Sequence, residues 1–135
     1  MIAAILRCAA AVGALGLSAS VAIAADNIDW SQAQTLTVIA KNYEFDPNHL
    51  VLKRDTPYRI HIENHGSETH EFNAARLFRH ATIANPKVLN ADRTEVVVQP
   101  GLQKDLLLQP KTAGKYKLLC PDHDWAGMTG DVTVE

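Results

Sequence analysis

Three side chains with metal-binding chemistry lie within the stretch CPDHDWAGM, close to the C-terminal end of the sequence. They are the thiol of Cys120, the imidazole of His123 and the thioether of Met128. Thiolate and thioether groups favour Cu(I), whereas imidazole groups suit Cu(II) as well. Gly127 and Gly130 flank Met128 and allow the backbone to come close to a bound group. The spacing therefore predicts that the three side chains point towards one metal ion.

A fourth ligand must come from another strand that ends at the same pole of the fold, and His70 is the best candidate. It follows a polar turn, residues 63–69, and begins a strand, so the sheet would hold its ring in place. Met does not serve zinc, calcium or magnesium sites. A thiolate and two imidazoles in a plane, with a weak axial thioether, describe a blue-copper electron-transfer site. The sequence therefore predicts one copper ion bound by His70, Cys120, His123 and Met128.

The elements that would position these ligands follow from the alternation of apolar and polar residues along the chain. The clearest case is the run in which Tyr58, Ile60 and Ile62 alternate with polar residues. A period of two is typical of strands, and only residues 74–83 have a helical pattern. We expect an all-β fold, an antiparallel Greek-key β-sandwich of about eight strands with one short helical segment. The predicted strands cover residues 35–40, 50–52, 58–63, 70–74, 95–98, 104–108, 115–120 and 131–135.

The N-terminal segment differs in composition from the rest of the chain. No charged residue lies between Cys8 and Ala25, and small residues at positions 22 and 24 frame a cleavage site. We interpret residues 1–25 as a signal peptide and residues 26–135 as one copper-binding domain; an uncleaved membrane anchor is the alternative. Export to the periplasm would leave Cys120 unpaired in an oxidising compartment, which favours a bound or buried thiol.

The ligand loop resembles that of a known family, the cupredoxins. The matching residues have the spacing Cys120-x-x-His123-x4-Met128-x-Gly130, as in the plastocyanin-type loop. A second segment, Asn64 to Phe72, resembles the upstream histidine region of small bacterial cupredoxins. The resemblance covers nearly all of the predicted domain, residues 35–135.

This resemblance implies a β-sandwich, one type 1 copper ion and electron transfer between larger redox proteins. It implies that His70, Cys120 and His123 are strong ligands and that Met128 is the axial ligand. A copper enzyme would need further copper sites or domains, which residues 26–135 do not supply. We therefore expect a carrier and not an enzyme.

Two positions depart from the family pattern. Glu71 stands where plastocyanin and azurin have an Asn that ties the two ligand loops together. Pro121 directly follows Cys120, one place earlier than in plastocyanins, so the backbone N–H of Asp122 is free to donate to the thiolate, as is that of Glu71. Hydrogen bonds to sulfur stabilise the reduced state, and two of them would raise the reduction potential. Replacing Asp122 by Pro should then lower the potential, and an unchanged potential would contradict this hypothesis.

Other interpretations of these residues remain open at this stage. Cys120 and His123 could pair as a nucleophile and a base, although no third orienting residue is evident. Met128 could fill the core instead of binding metal. Glu63, His65 and Glu68 could form a second, weaker metal site, although three polar loop residues usually have no such role.

The main functional prediction is a monomeric, periplasmic one-electron carrier. The loop that carries His123 should reach the surface, where Trp125 would form a small apolar docking patch or anchor the loop. Asp122 and Asp124 give this surface a negative charge that suits a basic partner such as a c-type cytochrome. The formal net charge of −2 argues against nucleic acid as a partner. Copper sequestration for tolerance, without a dedicated redox partner, is the alternative function.

Overall fold

Ten strands and one short α-helix make up most of residues 27–135, the part of the chain that the computed structural model describes. The strands are β1 (Gln34–Lys41), β2 (Glu44–Asp46), β3 (His49–Leu52), β4 (Tyr58–Asn64), β5 (His70–Asn73), β6 (Ala81–Ile83), β7 (Glu95–Val98), β8 (Gln103–Pro110), β9 (Gly114–Leu119) and β10 (Thr129–Val134). The helix is α1 (Ala75–Arg79), and short 3-10 helices cover Trp30–Gln32, Pro86–Val88 and Asp124–Ala126. The predicted signal peptide, residues 1–25, lies outside the described residues. Within residues 27–135, no helix is both long and apolar enough to cross a membrane.

The strands form two five-stranded sheets, with the orders β2-β1-β4-β8-β6 and β3-β10-β9-β5-β7. The predicted all-β sandwich with one short helix is confirmed. The prediction of purely antiparallel sheets was wrong, because β1 pairs with β4 and β3 pairs with β10 in parallel. Only strands joined by a short turn are obliged to pair antiparallel, whereas these partners are separated by longer stretches of chain.

Apolar residues from both sheets form one core between them. On β4, Tyr58, Ile60 and Ile62 point inwards and are at most 3% exposed. Leu118 and Val132, on strands of the other sheet, are fully buried. Burying such a side chain contributes about 1.5–3 kcal/mol. The core therefore fixes the strands from whose ends the predicted ligands project.

Two short strands were absent from the sequence prediction. Residues 74–83, predicted as helical, divide into α1 and β6, which pairs with β8 at a sheet edge. Leu77, Phe78 and Ile83 are compatible with a helix or a strand, so periodicity alone did not separate the two elements. The other missed strand is β2, which forms an antiparallel hairpin with β1. The turn of this hairpin, Asn42 and Tyr43, lies beside the ligand loops.

Candidate metal centre

Three of the predicted ligands converge in the structure. One ring nitrogen of His70, one ring nitrogen of His123 and the Sγ atom of Cys120 all lie within 4.8 Å of one another. Sγ is 3.3 Å from His123 Nδ1 and 4.0 Å from His70 Nδ1. The three residues are between 0% and 7% exposed. Among residues 27–135, this is the one group of three or more His, Cys, Asp or Glu side chains arranged to hold a metal ion.

The loop between β9 and β10 is held by backbone hydrogen bonds between the ligands themselves. The N–H of Cys120 donates to the carbonyl oxygen of Met128 at 3.0 Å. The N–H of His123 donates to the carbonyl of Cys120 at 3.0 Å, and the N–H of Met128 donates to that of His123 at 3.3 Å. Gly127 ends the short helix with φ +91°, a left-handed conformation that favours glycine. Met128 is fully buried and tied to both other ligands of the loop.

His70 is fixed from outside the site by a neutral amide. Its Nε2 lies 2.9 Å from Oδ1 of Asn42. Gly66 packs against this pair so closely that an added Cβ would lie 2.3 Å from Asn42 Oδ1 and 2.7 Å from His70 Nε2. The buried side chain of Asn64 orders the turn, because it donates to the carbonyls of Glu68 and Val98 and accepts from the N–H of Gly66. Only glycine fits at position 66.

His123 is fixed by a carboxylate and a phenol. Its Nε2 lies 2.8 Å from Oε2 of Glu68, and the hydroxyl of Tyr43 donates to the other Glu68 oxygen at 2.8 Å. The ring of Tyr43 stacks on the imidazole with centroids 4.7 Å apart. His123 is consequently 7% exposed. Its loop reaches the surface as expected, because Asp122, Asp124 and Trp125 are exposed.

These contacts set the chemistry of both imidazoles. Each Nε2 faces an oxygen acceptor and therefore carries the proton, which leaves each Nδ1 with a lone pair for a metal. Burial lowers the pKa of His70, which favours the neutral ring. The hydrogen bonds from Tyr43 and then from His123 lower the pKa of Glu68, which keeps it ionised.

Glu71 makes direct contact with the cysteine sulfur. The S–H of Cys120 donates to Oε2 of Glu71 at 2.9 Å, and the backbone N–H of Glu71 lies 3.5 Å from the same sulfur. Burial and this carboxyl group raise the pKa of the Cys120 thiol to about 12, while the backbone amides of Glu71 and Asp122 lower it. The N–H of Glu71 therefore lies at the sulfur as expected, and the hydrogen bond from the N–H of Asp122 stays a prediction.

The high pKa and full burial of Cys120 count against the alternative of a cysteine nucleophile. A reactive cysteine needs an accessible thiolate, and this thiol is 0% exposed. A metal ion, by contrast, displaces the proton when it binds. The chemistry of the donor set, one thiolate, two imidazoles and a buried thioether, fits one type 1 copper ion. His70, Cys120 and His123 would hold it, with Met128 as the predicted axial ligand.

The second metal site considered from the sequence is not formed. His65 contacts Glu63 at 2.7 Å, but Glu68 turns away from both and contacts His123 and Tyr43 instead. Asn42, Tyr43 and Glu68 are therefore the site residues that the sequence analysis missed or misassigned. The sequence carries no clear signal for them, because Asn42 and Tyr43 lie in a turn far from the ligand loop.

Trp125 is exposed at the surface and also anchors the ligand loop. Its ring is 78% exposed, the largest exposure among the big apolar side chains of residues 27–135. Its indole N–H donates to the carbonyl of Asp122 at 2.9 Å and so anchors the loop. The ring lies 6.0 Å from that of Tyr43. Tyr43 and Trp125 thus form an aromatic pair that connects His123 to solvent.

Comparisons with solved structures show the same fold. Auracyanin from Roseiflexus castenholzii, solved in its dithionite-reduced form, is 18% identical with a TM-score of 0.58, over 76% of this chain and 98% of that one. The periplasmic domain of cytochrome oxidase subunit II from Bradyrhizobium japonicum is 11% identical with a TM-score of 0.54, over 76% and 83%. Auracyanin A, a "blue" copper protein from Chloroflexus aurantiacus, is 17% identical with a TM-score of 0.52, over 75% and 99%.

Comparison by sequence gives the family. Among proteins with curated descriptions, none matches this chain significantly. The model of the cupredoxin-like domain matches residues 8–134, nearly the whole sequence. With its two-sheet fold and its convergent His, Cys and His ligands, the chain belongs to the family of cupredoxin-like domains.

Proposed function

We propose that this protein is an exported one-electron carrier, and not an enzyme, that uses a single type 1 copper ion. The observation that carries the proposal is the buried convergence of His70, Cys120 and His123 beside a fully buried Met128. A copper ion bound by this set supplies a reversible one-electron change between Cu(II) and Cu(I). The residues around the ion must meet two further requirements of such a carrier, fixed ligand positions and a route to the surface.

The first requirement is that the ligands keep their positions in both oxidation states. Backbone hydrogen bonds hold Cys120, His123 and Met128 to one another. Asn42 and Glu68 hold the outer nitrogens of the two imidazoles. Such outer contacts orient metal ligands and limit their rearrangement, which favours fast electron transfer over chemistry at the metal.

The second requirement is a route to the surface. The imidazole of His123 is covered, so the stacked ring of Tyr43 and the exposed ring of Trp125 provide the shortest aromatic connection to solvent. Asp122 and Asp124 are exposed in the same loop and carry negative charge. An apolar centre with an acidic rim suits a positively charged redox protein such as a c-type cytochrome.

The proposed location is the periplasm. Residues 1–25 have the composition of a signal peptide, and one of the structural neighbours is described as a periplasmic domain. Cys120, the one cysteine among residues 27–135, is buried at the site, where it is protected from oxidation. These three points support export, and detection of the copper-loaded protein in a periplasmic fraction would test it.

The functional test is reduction of the copper-loaded protein by a reduced c-type cytochrome in a stopped-flow experiment. An electron carrier should be reduced rapidly, with a rate constant that falls as salt is added, because opposite charges steer the encounter. A copper-tolerance protein should exchange electrons slowly at every salt concentration, and its expression should rise with copper. That second outcome would contradict the proposed carrier function while leaving the copper site intact.

A further inference from the structure

Three side chains with metal-binding chemistry line the outer face of strand β4 and the residue that follows it. His61, Glu63 and His65 alternate with buried residues, and successive side chains of a strand point to opposite faces. The backbone N–H of His65 still bonds to β1, at the carbonyl of Ala40, so the row continues past the end of β4. The three side chains are 23%, 30% and 52% exposed, and none of them belongs to the copper site.

The carboxylate of Glu63 lies between the two imidazoles. The Nε2 atom of His61 is 3.2 Å from Oε1, and the Nε2 atom of His65 is 2.7 Å from Oε2. Two donors that bind one tetrahedral zinc ion at about 2.0–2.1 Å lie about 3.3 Å apart, so His61 and Glu63 already have this separation. The three donors are not as close together as those of the copper site. Only the exposed ring of His65 has to rotate to bring them together.

The other ring nitrogen of His61 contacts a second carboxylate. Its Nδ1 lies 2.6 Å from Oδ1 of Asp105, the residue directly opposite on β8. A carboxylate at the outer nitrogen of a histidine ligand fixes the orientation of the ring and directs the other nitrogen to the metal. In His61 the nitrogen directed in this way is Nε2, which faces Glu63. His61 is therefore oriented as a metal ligand would be.

The surroundings of this row leave room and charge for a cation. No positively charged side chain stands opposite His61 or Glu63, where the neighbouring strands place Thr37, Ile39, Gln103 and Asp105. The nearest cation of the network is Arg59, whose Nε lies 4.0 Å from Asp105. An open groove of about 320 Å³ lies beside Glu63 and His65 and is bounded by residues 101–103. An ion and its remaining water ligands would fit there.

We propose that His61, Glu63 and His65 form a second metal site, for a divalent Cu(II) or Zn(II) ion, with Asp105 as the residue that orients His61. Imidazole and carboxylate donors suit these ions, whereas Cu(I) prefers sulfur donors, which this set lacks. The donors are partly exposed, so the ion should exchange with solvent more readily than copper at the buried site. The inference does not depend on the carrier function proposed above.

The test is a calorimetric titration of Zn²⁺ into protein already loaded with one equivalent of copper, so that the type 1 ligands are occupied. Wild-type protein should bind one further ion. His61→Ala and His65→Ala should each weaken this binding by about 100-fold or more, because losing even an outer partner of a ligand costs about 10–100-fold. Wild-type protein without saturable zinc binding, or unchanged affinity in both variants, would overturn the inference.

His49→Ala is the matched control. His49 is 50% exposed and contacts the carboxylate of Asp131, so it shares the exposure and the acidic partner of the proposed ligands without their third donor. Its substitution should leave the zinc affinity unchanged, and an equal loss would mean that the ion binds surface histidines without preference. His65 is the most exposed of the three donors, so His65→Ala decides the question even if His61→Ala does not fold.

Two substitutions test the orienting role of Asp105. Asp105→Ala should weaken zinc binding by about 10–100-fold. Asp105→Asn keeps an oxygen acceptor for Nδ1 of His61 and should restore most of that loss. Wild-type affinity in Asp105→Ala, or an Asn variant as weak as the Ala variant, would contradict the orienting role.

Electron paramagnetic resonance gives an independent measurement with Cu(II) as the probe. A second equivalent of Cu(II) should add a new signal with wide copper hyperfine splitting and nitrogen couplings from imidazole, and His65→Ala should remove that signal. A second signal unchanged in His65→Ala would overturn the inference. Protein that forms no type 1 site but binds zinc through His61 and His65 would refute the carrier function and leave this second site standing.

Discussion

The two histidine ligands are held in contrasting ways. His70 begins strand β5, is 1% exposed, and its outer nitrogen meets the neutral amide of Asn42. His123 lies in a loop, and its outer nitrogen meets the ionised carboxylate of Glu68 beneath the ring of Tyr43. The first arrangement fixes a ligand to the rigid sheet. The second adds charge and an aromatic route to the surface. The His70 side therefore gives structural support, and the His123 side gives a path for electrons to the surface.

The largest loss of stability and of copper affinity should come from Gly66→Ala, on the His70 side of the site. The new Cβ would overlap the side chain of Asn42 and the ring of His70, and neither can move without leaving the site. We expect a loss of about 2–4 kcal/mol in the free energy of unfolding, together with a marked fall in copper affinity. Chemical denaturation and copper titration would measure both quantities.

The control for this change is Gly101→Ala. Gly101 has a positive φ, +73°, and nothing lies within 4 Å of an added Cβ. It should cost only the backbone strain, about 1 kcal/mol, with copper affinity retained. Equal losses for the two variants would show that the packing around His70 is unimportant.

The second-largest loss of copper affinity should come from the residues that contact the outer nitrogens of the two histidines, Asn42 and Glu68. Asn42→Ala should weaken copper binding by about 10–100-fold, the usual consequence of losing an outer contact to a metal ligand. Glu68→Ala should weaken it less, because the Glu68 side chain is 48% exposed and water can replace its carboxylate. Copper affinity measured by chelator competition would rank the two.

Glu44→Gln serves as the matched control for this pair. Glu44 is an exposed acid on β2 that contacts Lys41 and no ligand. Its substitution should not alter copper affinity. If Glu68→Ala lost more copper affinity than Asn42→Ala, the main structural support would lie on the His123 side of the site and not on the His70 side.

A smaller effect, on rates alone, should follow from Tyr43→Ala. Loss of the ring removes the contact that links His123 to the surface, so reduction by a c-type cytochrome should slow by about tenfold. Tyr43→Phe keeps the stacked ring and loses only the hydroxyl, and its rate should stay within about twofold of wild type. Stopped-flow absorbance would measure both. Wild-type rates in Tyr43→Ala would exclude this ring as the route.

The smallest effect should come from the acidic rim. Asp122→Asn combined with Asp124→Asn should slow reduction by a basic cytochrome a few-fold at low salt, roughly within the range of electrostatic steering. The difference should vanish near physiological ionic strength, where screening acts over about 8 Å. Asp92→Asn, an exposed acid outside the ligand loop, is the control. A slowing that persists at high salt would point to a structural cause and not to steering.

Much of the fold and the ligand set could be predicted from the sequence because both are local patterns. Alternation along Tyr58 to Ile62 identified a strand, and the spacing from Cys120 to Met128 identified the loop. Tyr43 could not be placed in this way, because the pairing of β1 with β4 and the β1–β2 turn bring it to His123 from a distant part of the chain. Periodicity describes neither strand pairing nor the direction in which an exposed polar side chain turns.

Glu71 shows a different limit of sequence analysis. The position was recognised as a departure from the family pattern, and its backbone N–H was correctly placed at the sulfur. The side chain was expected only to replace a loop-tying Asn, whereas it contacts the thiol directly. A pattern reveals that a residue is unusual, but the contact that it makes depends on the register of β5 beside the end of β9.

The most direct test of the central claim is the optical and electron paramagnetic resonance spectrum of the copper-loaded protein, recorded for wild type and for Cys120→Ser. The account predicts a type 1 signature, with an intense thiolate-to-copper absorption and a narrow copper hyperfine splitting, that is lost when the sulfur is replaced. Wild-type protein that binds one equivalent of copper without this signature, or Cys120→Ser protein that retains it, would contradict the account.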